Sequence, residues 1–279
     1  SPAGRRIAFT ARDTAGKVSL WVRPLDTLAA QSLPGTDDAA LPFWSPDSRS
    51  LGFFADGKLK RIDAAGGPVQ TLCDAPTGRG GTWNRDGVIL FAPSTTSPIY
   101  RVASAGGEPV AVTKLVAGQT GHRLPSFLPD GRHFLYFTSL TVFVGALDSE
   151  ESKSLLTADS GARYSATGDL LFVRQGTLLR QAFDPNKLEL SGDPTPVAEQ
   201  VAVGVTLMGA FSVSDSGILV YRNGPGSSLN MQLAWFDRAG KPAETLGTPG
   251  RYQGVDVSPD GKRIAVHRHD GTGGDVWLF

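Results

Sequence analysis

Short apolar segments recur along the whole chain, separated by polar or glycine-containing stretches. Representative segments are "LGFF" from Leu51, "VILF" from Val88 and "FLYF" from Phe134. They are rich in β-branched and aromatic residues, which is typical of β-strands. The 3.6-residue periodicity of amphipathic helices is nearly absent. The pattern therefore predicts an all-β protein.

A tight turn with the pattern Ser-x-x-Gly, or a close variant of it, precedes one apolar segment in each repeat. Proline presets φ at the second position of such a turn, and glycine adopts the positive φ needed at the fourth. The average spacing of about 43 residues is the period of four-stranded propeller blades. The turns begin at Ser1, Ser45, Asn84, Leu128, Ser165, Ser214 and Ser258.

Each repeat holds four predicted strands. Two strands follow the Ser-x-x-Gly turn, and a Gly-Gly turn then leads to an outer strand, as in "DAAGGPVQTL" (Asp63–Leu72). A fourth stretch runs into the next Ser-x-x-Gly turn. The sequence thus predicts a β-propeller of four-stranded antiparallel blades. The first repeat lacks its inner strand and the last lacks its outer one, so we expect seven blades, or alternatively six, with incomplete terminal blades.

The whole range 1–279 is expected to form a single propeller domain and to be a fragment of a longer chain. With 27 basic and 27 acidic residues the formal charge is zero, which argues against a nucleic-acid partner. The single cysteine, Cys73, rules out an internal disulfide. The five tryptophans fall on predicted strands and are expected to pack between blades.

No motif for a known catalytic or cofactor site is present. The chain lacks Gly-x-Ser-x-Gly, a phosphate loop ending in Gly-Lys-Ser/Thr, and His-Glu-x-x-His. We therefore expect that this chain is not an enzyme and that it has no cofactor. His267 and His269 share one face of a strand near Asp270 and Asp275, which could ligate a metal. A solvent-facing strand end explains the same residues, and with no third placed ligand we expect no metal site.

The loops that lead from an outer strand into the next inner strand should meet at one mouth of the central channel. Four of these loops each carry an arginine, although the protein as a whole has no net charge. Such a rim would suit a small anionic ligand or an acidic loop of a protein partner. Alternatively, the arginines pair with carboxylates of neighbouring blades or are simply solvated. The candidate ligand-binding residues are Arg79, His122, Arg123, Arg163, Arg251 and Tyr252.

Several phrases resemble a known family. "FWSPDSRSLGFFADGKLKRIDAAGGPVQTL", "GGTWNRDGVILF", "LPDGRHFLYF" and "QLAWFDRAGK" are similar to TolB-type propeller repeats. They resemble most closely the propeller regions carried behind the kinase domain and membrane span of certain bacterial serine/threonine kinases. The resemblance runs from end to end of the chain.

The resemblance implies a non-catalytic binding or sensory module in the extracytoplasmic or periplasmic space. It would be tethered to the inner membrane by a segment outside this range, and it would bind a protein or a ligand. Two alternatives remain open. One is a scaffold propeller of a TolB-like periplasmic complex, and the other is the gating propeller of a prolyl-oligopeptidase-type hydrolase whose catalytic domain is absent here.

Overall fold

The computed structural model describes residues 1–13, 15–223, 231–239, 241–261, 263–269 and 274–279. The regular elements of these ranges are β-strands, and none of the ranges contains a helix long and apolar enough to cross a membrane. The first two sheets contain β1 (Arg6–Arg12), β2 (Val18–Pro24) and β3 (Gln31–Ser32), then β4 (Ala40–Trp44), β5 (Ser50–Ala55), β6 (Lys58–Asp63) and β7 (Gln70–Asp74).

The following sheets continue in chain order. The third and fourth sheets contain β8 (Gly81–Trp83), β9 (Val88–Phe91), β10 (Tyr100–Ala103), β11 (Val110–Ala111), β12 (Arg123–Phe127), β13 (His133–Thr138), β14 (Thr141–Ala146) and β15 (Ser149–Thr157). The fifth contains β16 (Arg163–Ser165), β17 (Asp169–Arg174), β18 (Thr177–Asp184) and β19 (Glu189–Ala198). The sixth and seventh contain β20 (Phe211–Val213) and β21 (Leu219–Tyr221), then β22 (Met231–Phe236), β23 (Pro242–Val257), β24 (Ile264–His269) and β25 (Gly274–Leu278).

Neighbouring strands pair antiparallel, and within each sheet they are ordered as in the chain. The first sheet has three strands because its inner strand is missing, as the sequence predicted. Five sheets have four strands, and β20 and β21 form a sheet of two. The five four-stranded antiparallel sheets confirm the predicted propeller blades, and the three-stranded first sheet confirms the predicted incomplete first blade. The sixth repeat departs from the prediction, because β20 and β21 form a sheet of two and β22 joins the seventh sheet.

One strand serves two sequence repeats. Residues 242–250 of β23 pair with β22, as expected for the outer strands of the sixth repeat. Residues 251–257 of the same strand pair with β24, as expected for the inner strand of the seventh repeat. The two predicted strands therefore run on as one, without a turn between them.

The Ser-x-x-Gly turns share one hydrogen bond, in which the N–H of the fourth residue donates to the carbonyl of the first. The N···O distances of these bonds range from 2.8 to 3.3 Å. The glycines at the fourth position have φ between 67° and 88°, including Gly87, Gly131 and Gly261, for which the sequence predicted positive φ. The second turn has Ser48 at this position, with φ of 60°. The turn chemistry read from the sequence is confirmed.

The apolar core lies between sheets. Five apolar clusters each combine side chains from two consecutive sheets, so the faces of a sheet are buried against its neighbours. The pairs in order along the chain include Leu20 with Phe53, Leu59 with Phe91, Leu90 with Phe134, Phe137 with Phe172, and Val173 with Val213. The terminal sheet differs, because its cluster around Tyr252 and Val266 draws only on its own strands and on Phe279.

The sixth sheet meets the first. The N–H of Asp215 donates to the carbonyl of Pro2 at 3.0 Å. Gly4 lies so close to the sixth turn that a Cβ atom there would be 2.2 Å from Ser216 Oγ. The first six sheets therefore close a ring, and residues from all six line one central cavity.

We expect Gly131→Val to lower the free energy of unfolding by at least about 1–2 kcal/mol. Gly131 has φ of 68°, and a Cβ atom there would have no neighbour closer than 3.7 Å, so the cost comes from the backbone and not from a clash. Urea unfolding of both proteins measures it.

Gly131→Asn is the matched control, because asparagine tolerates the left-handed region better than a β-branched residue does. The asparagine variant should be the more stable of the two. Equal stability of the valine variant and the wild type would contradict this assignment of the turn.

Candidate functional site

The central cavity has a volume of about 640 Å³ and lies where the inner strands run into the Ser-x-x-Gly turns. We call this side the turn face, defined by the turns that begin at Ser1, Ser45, Asn84, Leu128, Ser165 and Ser214. Carboxylates from three of the turns line it: Asp86, Asp130 and Asp215. No residue of these turns was among the predicted ligand-binding residues. The recurrence of the turn was nevertheless a sufficient signal, because equivalent turns of a ring must meet around its axis.

The opposite end of the channel is where the inner strands begin, and we call it the entry mouth. Arg79 stands two residues before β8, and Arg123 is the first residue of β12. They occupy equivalent positions in neighbouring repeats, because each lies five residues before the first residue of its Ser-x-x-Gly turn. The two strands are joined there, since the N–H of Leu124 donates to the carbonyl of Arg79 at 2.8 Å.

The backbone at this junction is unusual. Leu124 precedes a proline and has φ of 55°, a conformation that costs an ordinary residue about 1–3 kcal/mol. The register of β12 against β13 shifts between Arg123 and Ser126, so β12 is bulged here. Two glycines make room for Leu124, since a Cβ at Gly80 or Gly161 would lie within about 3 Å of it. Packing of the buried leucine side chain thus holds Arg123 beside Arg79.

Among the residues that the structure describes, no carboxylate is paired with the two guanidiniums at the entry mouth. Both side chains are half-buried, and Nη1 of Arg79 donates to the carbonyls of Thr77 and Gly78. Burial, and then the positive charge of Arg79, hold the pKa of Arg123 below its usual range. Within the described ranges neither arginine forms an ion pair. Two like charges therefore stand together at one end of the channel.

Arg163 lies in the wall of the central cavity, further along the channel than Arg79 and Arg123. It occupies the position equivalent to Phe43, Thr82 and Ser126, which line the same cavity. Its Nη1 donates to the carbonyl of Pro125 at 3.2 Å. Burial in the cavity wall lowers its pKa. Arg163 therefore presents a cation inside the channel and not on the entry mouth.

His122 is not on the rim. It is 1% exposed and packs against Tyr136, with the ring centres 4.5 Å apart. Its Nδ1 is 2.7 Å from the hydroxyl of Thr113, and its Nε2 is 2.8 Å from Oε1 of Gln119. The neutral ring satisfies both partners, because Nδ1 accepts from the hydroxyl while Nε2–H donates to the amide oxygen. Burial lowers the pKa of His122 to about 4.

Arg251 and Tyr252 belong to the terminal sheet. The backbone of Arg251 pairs with His269, and the side chain of Arg251 lies outside the described part of the chain. Tyr252 is 2% exposed, its hydroxyl donates to the carbonyl of Thr248, and its ring meets Phe279 edge-on. Of the six predicted rim residues, the structure brings together Arg79 and Arg123, and it places Arg163 deeper in the same channel.

The predicted histidine pair can be followed only in part. The side chain of His269 and all of Asp270 lie outside the described residues, and Asp275 is exposed. Among the side chains that the structure describes, no group of three or more His, Cys, Asp or Glu is arranged to hold a metal ion.

A histidine–carboxylate pair borders the cavity at the turn face. Asp130 accepts from Nδ1 of His133 at 2.5 Å, and Nη1 of Arg132 is 3.2 Å from the other ring nitrogen. Burial opposes ionisation of Asp130, but hydrogen bonds from His133 and from the backbone outweigh it and lower the pKa. Both ring nitrogens are thus engaged within the fourth sheet, which favours a structural role for the pair.

Comparison with known proteins establishes the class of fold. The β-propeller domain of Cps50 (Swd1) from Myceliophteria thermophila superposes with a TM-score of 0.53 at 14% identity, over 97% of this chain and 93% of that one. A putative TolB from Agrobacterium tumefaciens superposes with a TM-score of 0.51 at 17% identity, over 98% and 88%. The chain is therefore a β-propeller, and a TolB-like protein is among those that share its fold.

Sequence comparison gives no function. No known family profile matches the chain. An uncharacterised protein of Agrobacterium fabrum, Atu1656, is 26% identical over 267 residues, which is 82% of this chain and 84% of the relative.

The expectation that this chain is not an enzyme is wrong. It rested on the absence of hydrolase and kinase motifs. A protein from Xanthomonas campestris described as a gluconolactonase superposes with a TM-score of 0.52 at 16% identity, over 86% of this chain and 84% of that one. A protein described as an enzyme thus shares this fold, so the absence of those motifs is no ground for excluding an enzyme activity.

We expect the buried neutral His122 to make stability depend on pH. Its folded pKa of about 4 lies below the ordinary value of 6.5, so the unfolded chain binds its proton more readily. The stabilisation is complete above pH 6.5 and is lost as the pH falls towards 4. Urea unfolding of the wild type and of His122→Gln at pH 7, 5.5 and 4 measures this loss. The variant should lose less stability over this range, and parallel profiles would contradict the assignment.

Proposed function

We propose that the protein binds an anionic ligand, or an acidic segment of a protein partner, at the entry mouth of the channel. The observation that carries this proposal is the pair of half-buried arginines, Arg79 and Arg123, held side by side without a carboxylate. A charge that is partly removed from water is normally paired with an opposite charge, because the lost hydration free energy is otherwise not compensated. A bound carboxylate or phosphate would supply the missing countercharge.

The chemistry of the arginine side chain fits such a ligand. A guanidinium is planar and donates two parallel hydrogen bonds to one carboxylate or phosphate group. Nη1 of Arg79 is already held by two main-chain carbonyls, so this side chain is preorganised. Arg163 stands further along the channel, and a longer anion could reach it from the entry mouth. The ligand or partner segment that fits this channel therefore carries more than one carboxylate or phosphate group.

The cellular setting is a separate proposal, and it rests on the sequence phrases that resemble kinase-borne propellers. In this proposal the propeller lies outside the cytoplasm, joined to a membrane span and a serine/threonine kinase. Protease added to intact spheroplasts of the source cells should then digest the propeller in the full-length protein. Protection of the propeller until the inner membrane is lysed would contradict this setting.

We expect the double variant Arg79→Gln/Arg123→Gln to bind pyrophosphate or citrate at least about tenfold more weakly than the wild type, a loss of about 1.4 kcal/mol. Isothermal titration calorimetry at low ionic strength in a buffer without phosphate measures the affinities. Without ligand the variant should be at least as stable as the wild type, because the repulsion between the two cations is removed.

Arg180→Gln is the matched control, since Arg180 is exposed on β18 and contacts the hydroxyl of Thr195. The control should bind as the wild type does. Equal affinity of the double variant and the wild type, or an equal loss in the control, would remove the entry mouth as the binding site.

A further inference from the structure

A second cavity of about 440 Å³ lies on the turn face, between the second and third sheets. Pro46 and Asp47 of one turn border it on one side, and Trp83 and Arg85 border it on the other. Arg61 of β6 also reaches it. We call it the side cleft; its complete lining is Ser45, Pro46, Asp47, Ser50, Arg61, Trp83, Asn84, Arg85 and Gly87.

At the level of the side cleft, hydrogen bonds join some of the neighbouring turns of the ring. The N–H of Ala3 donates to Ser48 Oγ at 3.1 Å, which joins the first turn to the second. Nδ2 of Asn84 donates to the carbonyl of Gly131 at 2.8 Å, which joins the third turn to the fourth. Between the second and third turns, the described residues form no such bond. The two turns stand apart, and the space between them is open.

Arg85 is one of three residues, with Ala166 and Asp215, that differ from proline at the second position of their turns. It stands at the second position, where proline occurs in four of the seven turns, at Pro2, Pro46, Pro129 and Pro259. Proline there stabilises a turn by restricting the unfolded chain. The N–H of Arg85 has no partner within the described ranges, so the fold does not require a residue other than proline. The third repeat carries a cation instead, and the cation borders the side cleft.

The charges of the side cleft do not cancel. Nη1 of Arg61 donates to the carbonyl of Ser104 at 2.8 Å, which holds its guanidinium across the junction of the two sheets. Asp47 is the carboxylate of the lining, and it already accepts from Ser45 Oγ and from the N–H of Arg49. Two arginines therefore face one carboxylate, which leaves one positive charge for a ligand.

The rest of the lining is suited to an apolar body. Trp83 is half-buried, because it packs against the apolar cluster of the second and third sheets while another part of the side chain borders the side cleft. The proline ring of Pro46 borders the same space from the second sheet. An indole and a proline ring offer flat apolar surfaces to an aromatic or aliphatic group.

We propose that the side cleft is a binding site for small organic monocarboxylates that carry an aromatic or other apolar body. The carboxylate lies against Arg61 and Arg85, and the apolar body lies against Trp83 and Pro46. This site is distinct from the arginine pair of the entry mouth, because it uses other residues at the opposite face of the ring. Either site can exist without the other.

The test is binding of 3-phenylpropanoate and of its neutral amide to the folded protein. Titration calorimetry gives the affinities, and ¹H–¹⁵N spectra of the tryptophan indoles locate the ligand once Trp83→Phe has identified the Trp83 signal. The carboxylate should bind at least tenfold more tightly than the amide, and it should shift the Trp83 indole signal.

Arg85→Pro is the most informative variant, because it restores the common turn sequence while it removes the cation. It should keep or raise the melting temperature and weaken binding of 3-phenylpropanoate at least tenfold, as should Arg61→Gln. Arg101→Gln, an exposed arginine on β10, is the matched control and should bind as the wild type does. Absence of binding to the wild type at millimolar ligand, or unchanged binding by Arg85→Pro, would overturn the proposal.

Discussion

The sheets of this protein bury their faces against each other, and the ring depends on that constraint. Five apolar clusters each join two consecutive sheets, so no sheet within the ring has a core of its own. Burial of one phenylalanine such as Phe53 or Phe134 stabilises the fold by about 1.5–3 kcal/mol, and side chains of a neighbouring sheet complete that burial. The sixth sheet must therefore meet the first to close the ring, and the contact of Asp215 with Pro2 shows that it does.

The same constraint decides where functional groups can stand. Side chains between sheets are used for packing. Functional groups are therefore left with two kinds of place, the ends of the central channel and the gaps between turns. His122 is an example of packing, because it directly precedes Arg123 in the chain but its ring is buried beside Tyr136. Arg79 and Arg123 are the opposite case, because they lie at the entry mouth, where the inner strands begin, and both remain partly exposed. A residue's place in the repeat thus decides between packing and binding.

Much of the fold could be predicted because its signals are local. The turns that end at Gly131 and Gly261 can be recognised from four consecutive residues, and the spacing of such turns gives the number of sequence repeats. The candidate site could be predicted only in part, because it depends on the register within each repeat. Arg79 and Arg123 precede their turns by five residues, but Arg163 precedes its own by two and so lies inside the channel. Tyr252 belongs to the terminal sheet, which packs on itself.

A position where one repeat carries a different residue type from the others is informative. The residue type shared by the other repeats shows what the fold requires at that position. Gly80 and Gly161 depart from the leucine found at Leu41 and Leu124, and the contact of both glycines with Leu124 explains them through packing. Arg85 departs from proline, and packing gives no reason for it, since its side chain is exposed. A departure without a structural cause points to a ligand. In a ring of repeated units, a residue that the fold does not need is the one to examine for binding.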